Sequence, residues 1–225
     1  YKFLHPNNDV NLSQSTNDAY PTALRVALYE KLGELNESMA IIKNSFAKKA
    51  AEFKDIIKMG RTQLQDAVPM TLEQEFRTYA VMIGEDIQRV SEARQLVREM
   101  NMGATAIGTG INAHPDYAKT VEAKLQEVTG RPFVTAGDLV EATQDTGAYV
   151  QISGVLKRVA TKMSKICNDL RLLSSGPRTG FGEINLPAMQ PGSSIMPGKV
   201  NPVIPEVVNQ VCFQVIGTDI SVTMA

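Results

Sequence analysis

The sequence predicts an all-α fold, a bundle of long antiparallel helices. Apolar residues recur at alternating steps of four and three over long stretches, which is the spacing of a single helix face. Hardly any stretch alternates apolar and polar residues at period two, and none is convincing as a strand. The helix-breaking residues are concentrated: six of the eleven prolines and five of the sixteen glycines lie in 174–205.

The first helix is predicted from Pro21 to about Phe53. Leu24, Leu28, Leu32, Leu35, Met39, Ile42 and Phe46 trace its stripe, and Asp18 ahead of Pro21 marks its start, where proline is tolerated. At ~1.5 Å per residue it is roughly 50 Å long. A second helix is expected over about Thr71–Met102, with Leu72, Phe76, Tyr79, Ile83, Ile87, Val90 and Val97 on one side and Gly103 ending it. A shorter helix over about 115–129 ends at Gly130. A third long one covers about 138–173, with Leu156, Met163, Ile166, Leu170 and Leu173 on one side, and a last one begins near Pro205. Helices of this length cannot bury their stripes alone, so they pack as a bundle. Two irregular connections interrupt them, at 58–70 and 174–202.

The chain has 225 residues, 43% of them hydrophobic, and a net charge of −1. That composition is typical of a soluble globular protein and offers no electrostatic reason to bind nucleic acid or an acidic membrane surface. No apolar run approaches the ~18 residues of a membrane-spanning helix. Cys167 and Cys212 match no metal or redox spacing and read as buried free thiols in a reducing compartment, hence the expectation of a cytoplasmic protein. The first residues carry neither Met nor a signal-peptide pattern, and the last ones stop inside an apolar segment. The chain therefore reads as the middle of a longer protein.

Three polar clusters could carry chemistry. "SQSTND", 13–18, places Ser15, Thr16 and Asn17 ahead of the first helix, where hydroxyl, amide and free backbone N–H donors suit a carboxylate. The same residues would equally form a plain N-cap. "GRTQLQD", 60–66, offers Thr62 and Gln63 between Arg61 and Asp66, or else ordinary turn polarity. "GSSIMPGKVNP", 192–202, sets Ser193 and Ser194 on a glycine-bounded loop, followed by Lys199, Asn201 and, near the last helix, Glu206. A serine hydroxyl serves as a base only if backbone N–H groups and a cation stabilise its alkoxide, and Lys199 could supply the cation. An exposed linker is the alternative, disfavoured because it would leave Ile195 and Met196 in water. With only two histidines, His5 and His114, a metal site finds little support and no Ser-His-Asp arrangement can be drawn near Ser193.

"GSSIMPGKVNP" resembles the signature of the fumarase/aspartase superfamily at all eleven positions, and "NLSQSTNDAYPTA" and "GRTQLQDAVPMTL" resemble its other two active-site segments in the same order. The resemblance spans essentially the whole chain. "KFLHPNNDVNLSQSTND", "QLQDAVPMT" and "PEVVNQVCFQVIG" are closer to the members that deaminate L-aspartate than to class II fumarases. The resemblance implies that 1–225 is the central helical domain, with the family's N-terminal and C-terminal domains absent. It implies a homotetramer whose bundle is shared by four subunits, with sites built from three chains. The activity implied is reversible deamination of L-aspartate to fumarate and ammonia, with class II fumarate hydratase or an inactive structural domain as the alternatives. By resemblance Ser193 is the general base. Ser15, Thr16 and Ser194 bind the β-carboxylate. Asn17, Thr62, Gln63, Lys199 and Asn201 surround the α-carboxylate and amino group, and Glu206 is a charge partner. Class II fumarases carry histidine where this chain has Gln63. The chemistry needs no organic cofactor; a divalent cation such as Mg as activator is left open.

Overall fold

The structure, a computed structural model, describes residues 3–225. In chain order come a π-helical turn (Pro6–Val10), α1 (Thr16–Glu52), β1 (Ile57–Thr62), β2 (Gln65–Thr71), α2 (Leu72–Leu96) and β3 (Glu99–Met100). Then follow α3 (Tyr117–Thr129), β4 (Val134–Thr135), α4 (Leu139–Gln144), α5 (Gly147–Leu173) and α6 (Val203–Met224). The fold is mostly helical, as the stripes require, and it separates into two compact units. One comprises Tyr1–Asn36 and Val90–Ile152, the other Glu37–Arg89 and Ser153–Ala225.

In the first unit the core gathers Tyr29, Leu32, Val90, Val97, Met100 and Phe133. Tyr29 meets Phe133 edge-on with ring centroids 5.4 Å apart, and the Arg94 guanidinium stacks on Tyr29 at 3.8 Å. The buried face of α1 here only partly follows the predicted one: Leu32 is buried and Leu28 and Leu35 are half-buried, but polar residues share the inner side. Asp18, Thr22, Arg25, Tyr29 and Leu32 are buried, again at steps of four and three, whereas Leu24 is exposed. Polar residues occupy the inner face because partners far along the chain satisfy them: Arg25 Nη1 donates to the Leu96 carbonyl and its guanidinium lies over the Tyr149 ring. The helix also starts before Pro21, which lies inside it. Proline has no N–H for the Asn17 carbonyl one turn back, and Asn101 Nδ2 donates to that carbonyl at 3.0 Å instead.

The second expected helix stops at Leu96, well short of Gly103. The chain instead pairs Glu99 and Met100 in parallel with Val134 and Thr135, so this backbone bonds to a strand rather than to a further helical turn. Gly130, at φ 65°, caps α3 as predicted. The predicted helix over 138–173 is broken in two. Asp145 is extended (ψ 127°), and its carboxylate accepts the Gly147 N–H at the start of α5.

In the second unit Phe46, Phe53, Phe76 and Tyr79 form an aromatic cluster with centroids 5.0–6.0 Å apart. Leu72, Ile83, Ile166 and Leu173 are buried in the same unit. Cys167 and Cys212 are free and buried, and burial pushes the Cys167 thiol up to about 11. The connection over 58–70, expected as an irregular turn, is a β-hairpin: β1 pairs antiparallel with β2, with an irregularity between Met59 and Arg61. A Cβ on the intervening Gly60 would lie 2.9 Å from the Val68 carbonyl, so glycine permits this close approach. Among the described residues no helix is long and apolar enough to cross a membrane.

Candidate active site

Ser15 and Asn17 begin α1 in the first unit. Ser15 Oγ accepts the Asn17 N–H at 3.2 Å, and the Asp18 carboxylate accepts the Ser15 N–H at 2.8 Å. The two bonds cap the helix start reciprocally, as in a capping box but with the serine oxygen on the N2 rather than the N3 N–H. The N-cap reading and the binding reading therefore coexist. With its oxygen occupied by a backbone donor, the Ser15 hydroxyl has its proton left to offer a ligand. Asn17 Nδ2 donates to the Ala106 carbonyl at 2.8 Å, which leaves its side-chain oxygen and one N–H to meet a ligand. Thr16 is exposed at the first helical position.

Thr62 and Gln63 lie in the second unit, at the hairpin. Thr62 pairs with Gln65, so Gln63 and Leu64 make a two-residue turn in which both φ angles are positive, 51° and 63°. Such turns favour Asn or Gly, and a non-glycine residue there costs about 1–2 kcal/mol. Gln63 lies at an exposed tip beside a cavity of about 310 Å³, which is also lined by Lys58, Arg61, Glu75, Lys165 and Asp169.

Ser193, Ser194, Lys199 and Asn201 belong to the long loop between α5 and α6 in the second unit. The Ser193 N–H donates to the Lys199 carbonyl at 2.8 Å, closing a seven-residue loop across Gly192, whose φ is 103°. A Cβ on Gly192 would lie 3.2 Å from that same carbonyl. Within the loop Ser193 Oγ accepts the N–H groups of Ile195 (3.3 Å) and Met196 (3.1 Å). Two backbone donors aimed at a serine oxygen are what stabilise negative charge on it. Lys199 is exposed, and among the described residues its ammonium has no hydrogen bond or ion pair. It does not reach Ser193 in this arrangement. Ile195 is 85% exposed, so the loop does leave an apolar side chain in water. Asn201 is half-buried, and Glu206 lies 3.7 Å from Arg171 Nη2.

The hairpin and the serine loop are tied together by a residue that sequence reasoning missed. Glu183 forms ion pairs with Arg61 and, at 3.0 Å, with Lys58, both on β1; Lys58 in turn pairs with Glu75. The Arg61 guanidinium also stacks on Phe181 at 4.0 Å. Burial raises the Glu183 carboxyl, but hydrogen bonds from Arg61 and Lys58 outweigh it and hold the group below the usual carboxylate range. Glu183 is 122 residues from Arg61, and no local pattern announces such a pair. Asp18, which marks the helix start, is also legible as the fourth member of an S-x-x-D box.

His5 caps the π-helical turn by accepting the N–H groups of Asn7 and Asn8, and His114 lies exposed in a turn. Among the described residues no group of three or more His, Cys, Asp or Glu side chains is placed to hold a metal ion. An activating divalent cation thus has no preformed donor set among them.

The first unit thus carries the capped start of α1, and the second carries the hairpin and the serine loop with its backbone donors. A family described as "Lyase" matches residues 2–217, and the chain belongs to it. All 225 residues align at 70% identity with the aspartate ammonia-lyase of Helicobacter pylori, covering 48% of that protein. The aspartate ammonia-lyase of Escherichia coli K12 is 60% identical, again over the full chain and 47% of that protein. Among solved structures, a fumarate lyase:delta crystallin from Brucella melitensis bound to cobalt superposes with a TM-score of 0.96 at 58% identity, over 100% of this chain and 49% of that one. A class II fumarase from Schistosoma mansoni superposes at 0.95 with 35% identity, over 99% of this chain and 50% of that one. The chain spans about half the length of the relatives it matches.

Proposed function

We propose that the protein carrying this chain is an aspartate ammonia-lyase that converts L-aspartate reversibly to fumarate and ammonia. The observation that carries the reading is 70% identity to such an enzyme across all 225 residues, all three polar clusters included. In the mechanism Ser193, as alkoxide, takes the proton from the carbon beside the β-carboxylate. The electron pair left behind is held in that carboxylate as a doubly charged aci-carboxylate. It then forms the carbon–carbon double bond while the C–N bond breaks, and the substrate's ammonium departs as neutral ammonia. Ser15, Thr16 and Ser194 hold the carboxylate that gains charge. Asn17, Thr62, Gln63, Lys199 and Asn201 hold the α-carboxylate and amino group, and Glu206 balances their charge. Glutamine suffices at position 63 because ammonia needs no acid to leave, whereas hydroxide does. No organic cofactor takes part. The two buried free thiols fit a cytoplasmic setting.

Full-length protein incubated with aspartate, and separately with malate, is expected to produce fumarate at least tenfold faster from aspartate. Faster turnover of malate would instead establish a hydratase.

The active assembly is a homotetramer with sites assembled from several subunits. Val207, Val211, Phe213 and Ile220 on α6 are 48–65% exposed in the isolated chain, a surface that suits burial against further copies. Mixed tetramers of inactive Ser193→Ala and inactive Thr16→Val subunits should regain activity, because some hybrid sites contain neither lesion. Verified hybrids with no recovered turnover would place each site within one chain.

A further inference from the structure

We infer that Asp18 is a positioning residue: its buried carboxylate sets the direction in which Ser15 and Asn17 face the substrate. The inference rests on the activity proposed above. Asp18 is fully buried, at 0% exposure. One carboxylate oxygen accepts the Ser15 N–H at 2.8 Å. The other accepts the N–H groups of Thr105 at 2.9 Å and Gly103 at 3.2 Å. Among the described residues no cation pairs with it, so backbone donors alone offset the burial of this side chain. Removing it would strand three N–H groups inside the protein.

The two ends of this tie both lead to the cluster. On one side the carboxylate pins the backbone of Ser15, whose hydroxyl is then free to donate outward. On the other side it fixes the turn at 103–105, where Gly103 and Thr105 both carry positive φ, 100° and 59°. Ala106 follows that turn, and its carbonyl receives Asn17 Nδ2. The turn thereby engages one amide hydrogen of Asn17 and leaves the amide oxygen and the second N–H for a ligand. The oxygen can accept from the substrate's ammonium, and the second N–H can donate to its carboxylate. Asn101 reinforces the same geometry: its Nδ2 bonds both the Asn17 carbonyl and Thr143 Oγ1. Asp18 touches no substrate in this scheme and acts through its neighbours.

Asparagine cannot replace it. Both carboxylate oxygens face N–H donors, so whichever end carried the NH₂ would meet a donor. In the full-length protein Asp18→Asn should lower kcat/KM for aspartate about 100-fold, the scale of an ångström of misplacement. It should do so in protein that remains folded by near-ultraviolet circular dichroism and keeps its assembly. In a cycle with Asn17→Ala, the double variant should lose no more than the worse single one, because both act through the same group. Losses that multiply, or Asp18→Asn turnover within threefold of the unsubstituted enzyme, would overturn the inference. Hydrogen exchange read by mass spectrometry needs no turnover: Asp18→Asn should speed exchange at 13–18 and at 101–106 together. Unchanged exchange at either segment also counts against the tie. If Asp18→Asn does not fold, Asp18→Glu takes its place in every measurement, with a loss of at least tenfold expected. An unsubstituted protein that makes no fumarate refutes the proposed activity; one that does, alongside an unaffected Asp18→Asn, refutes only the role of Asp18.

Discussion

Ser193→Ala is expected to lower turnover of aspartate by about 10²–10⁴-fold, the range over which a positioned acid–base group contributes. The fold should survive. Ser193 is half-buried on a loop, and its hydroxyl oxygen accepts the N–H groups of Ile195 and Met196, both exposed residues whose amides water can satisfy. Losing such contacts costs at most about 1 kcal/mol. The Ser193 N–H bond to the Lys199 carbonyl, which closes the loop, is backbone and remains. A large fall in kcat with a melting temperature within a few degrees of the unsubstituted protein is therefore the expected pair of results. A variant retaining more than a tenth of the rate would show that another group takes the proton.

Gly108→Ala is expected to be the most damaging single-methyl addition in the first unit. Gly108 holds φ at 102°, a region that L side chains rarely adopt, and its N–H donates to the Ala104 carbonyl at 3.0 Å. A Cβ there would lie 2.3 Å from Val140 Cα and 2.4 Å from the Val140 nitrogen, inside the backbone at the start of α4. Backbone atoms cannot rotate away, so either the 101–110 turn or the α4 start must move. Left-handed strain of about 1–3 kcal/mol adds to an overpacking cost of similar size. The expected outcome is a loss of about 3 kcal/mol or more, measured by denaturant unfolding of the full-length protein. A loss below 1 kcal/mol would mean the two backbones are not in contact.

What the sequence determined by itself is local or periodic. The stripe Leu72–Phe76–Tyr79–Ile83 is buried as its period required, Gly130 ends α3 with a left-handed residue, and the prolines of 174–202 exclude regular structure between α5 and α6. The three polar segments were legible because their residue types and spacing are unusual for a helical chain. The tertiary structure alone decided where backbone partners lie. The hairpin at 57–71 was missed because Pro69 and the Gln63–Leu64 turn carry none of the usual strand or turn chemistry, and its pairing is stabilised across strands rather than along one. The stripe over α1 correctly includes the buried Leu32 and Met39 but starts at the exposed Leu24 and omits Asp18, Thr22 and Arg25, because apolar periodicity cannot register a polar side chain whose partner is distant. For Asp18 the partners are the Gly103 and Thr105 N–H groups, 85 and 87 residues away; for Arg25 it is the Leu96 carbonyl, 71 residues away. Glu183 meets Arg61 across 122 residues for the same reason. Hydrophobic burial has a period that a sequence displays, but a hydrogen bond or ion pair between remote groups has none, so these ties emerge only when the chain is folded.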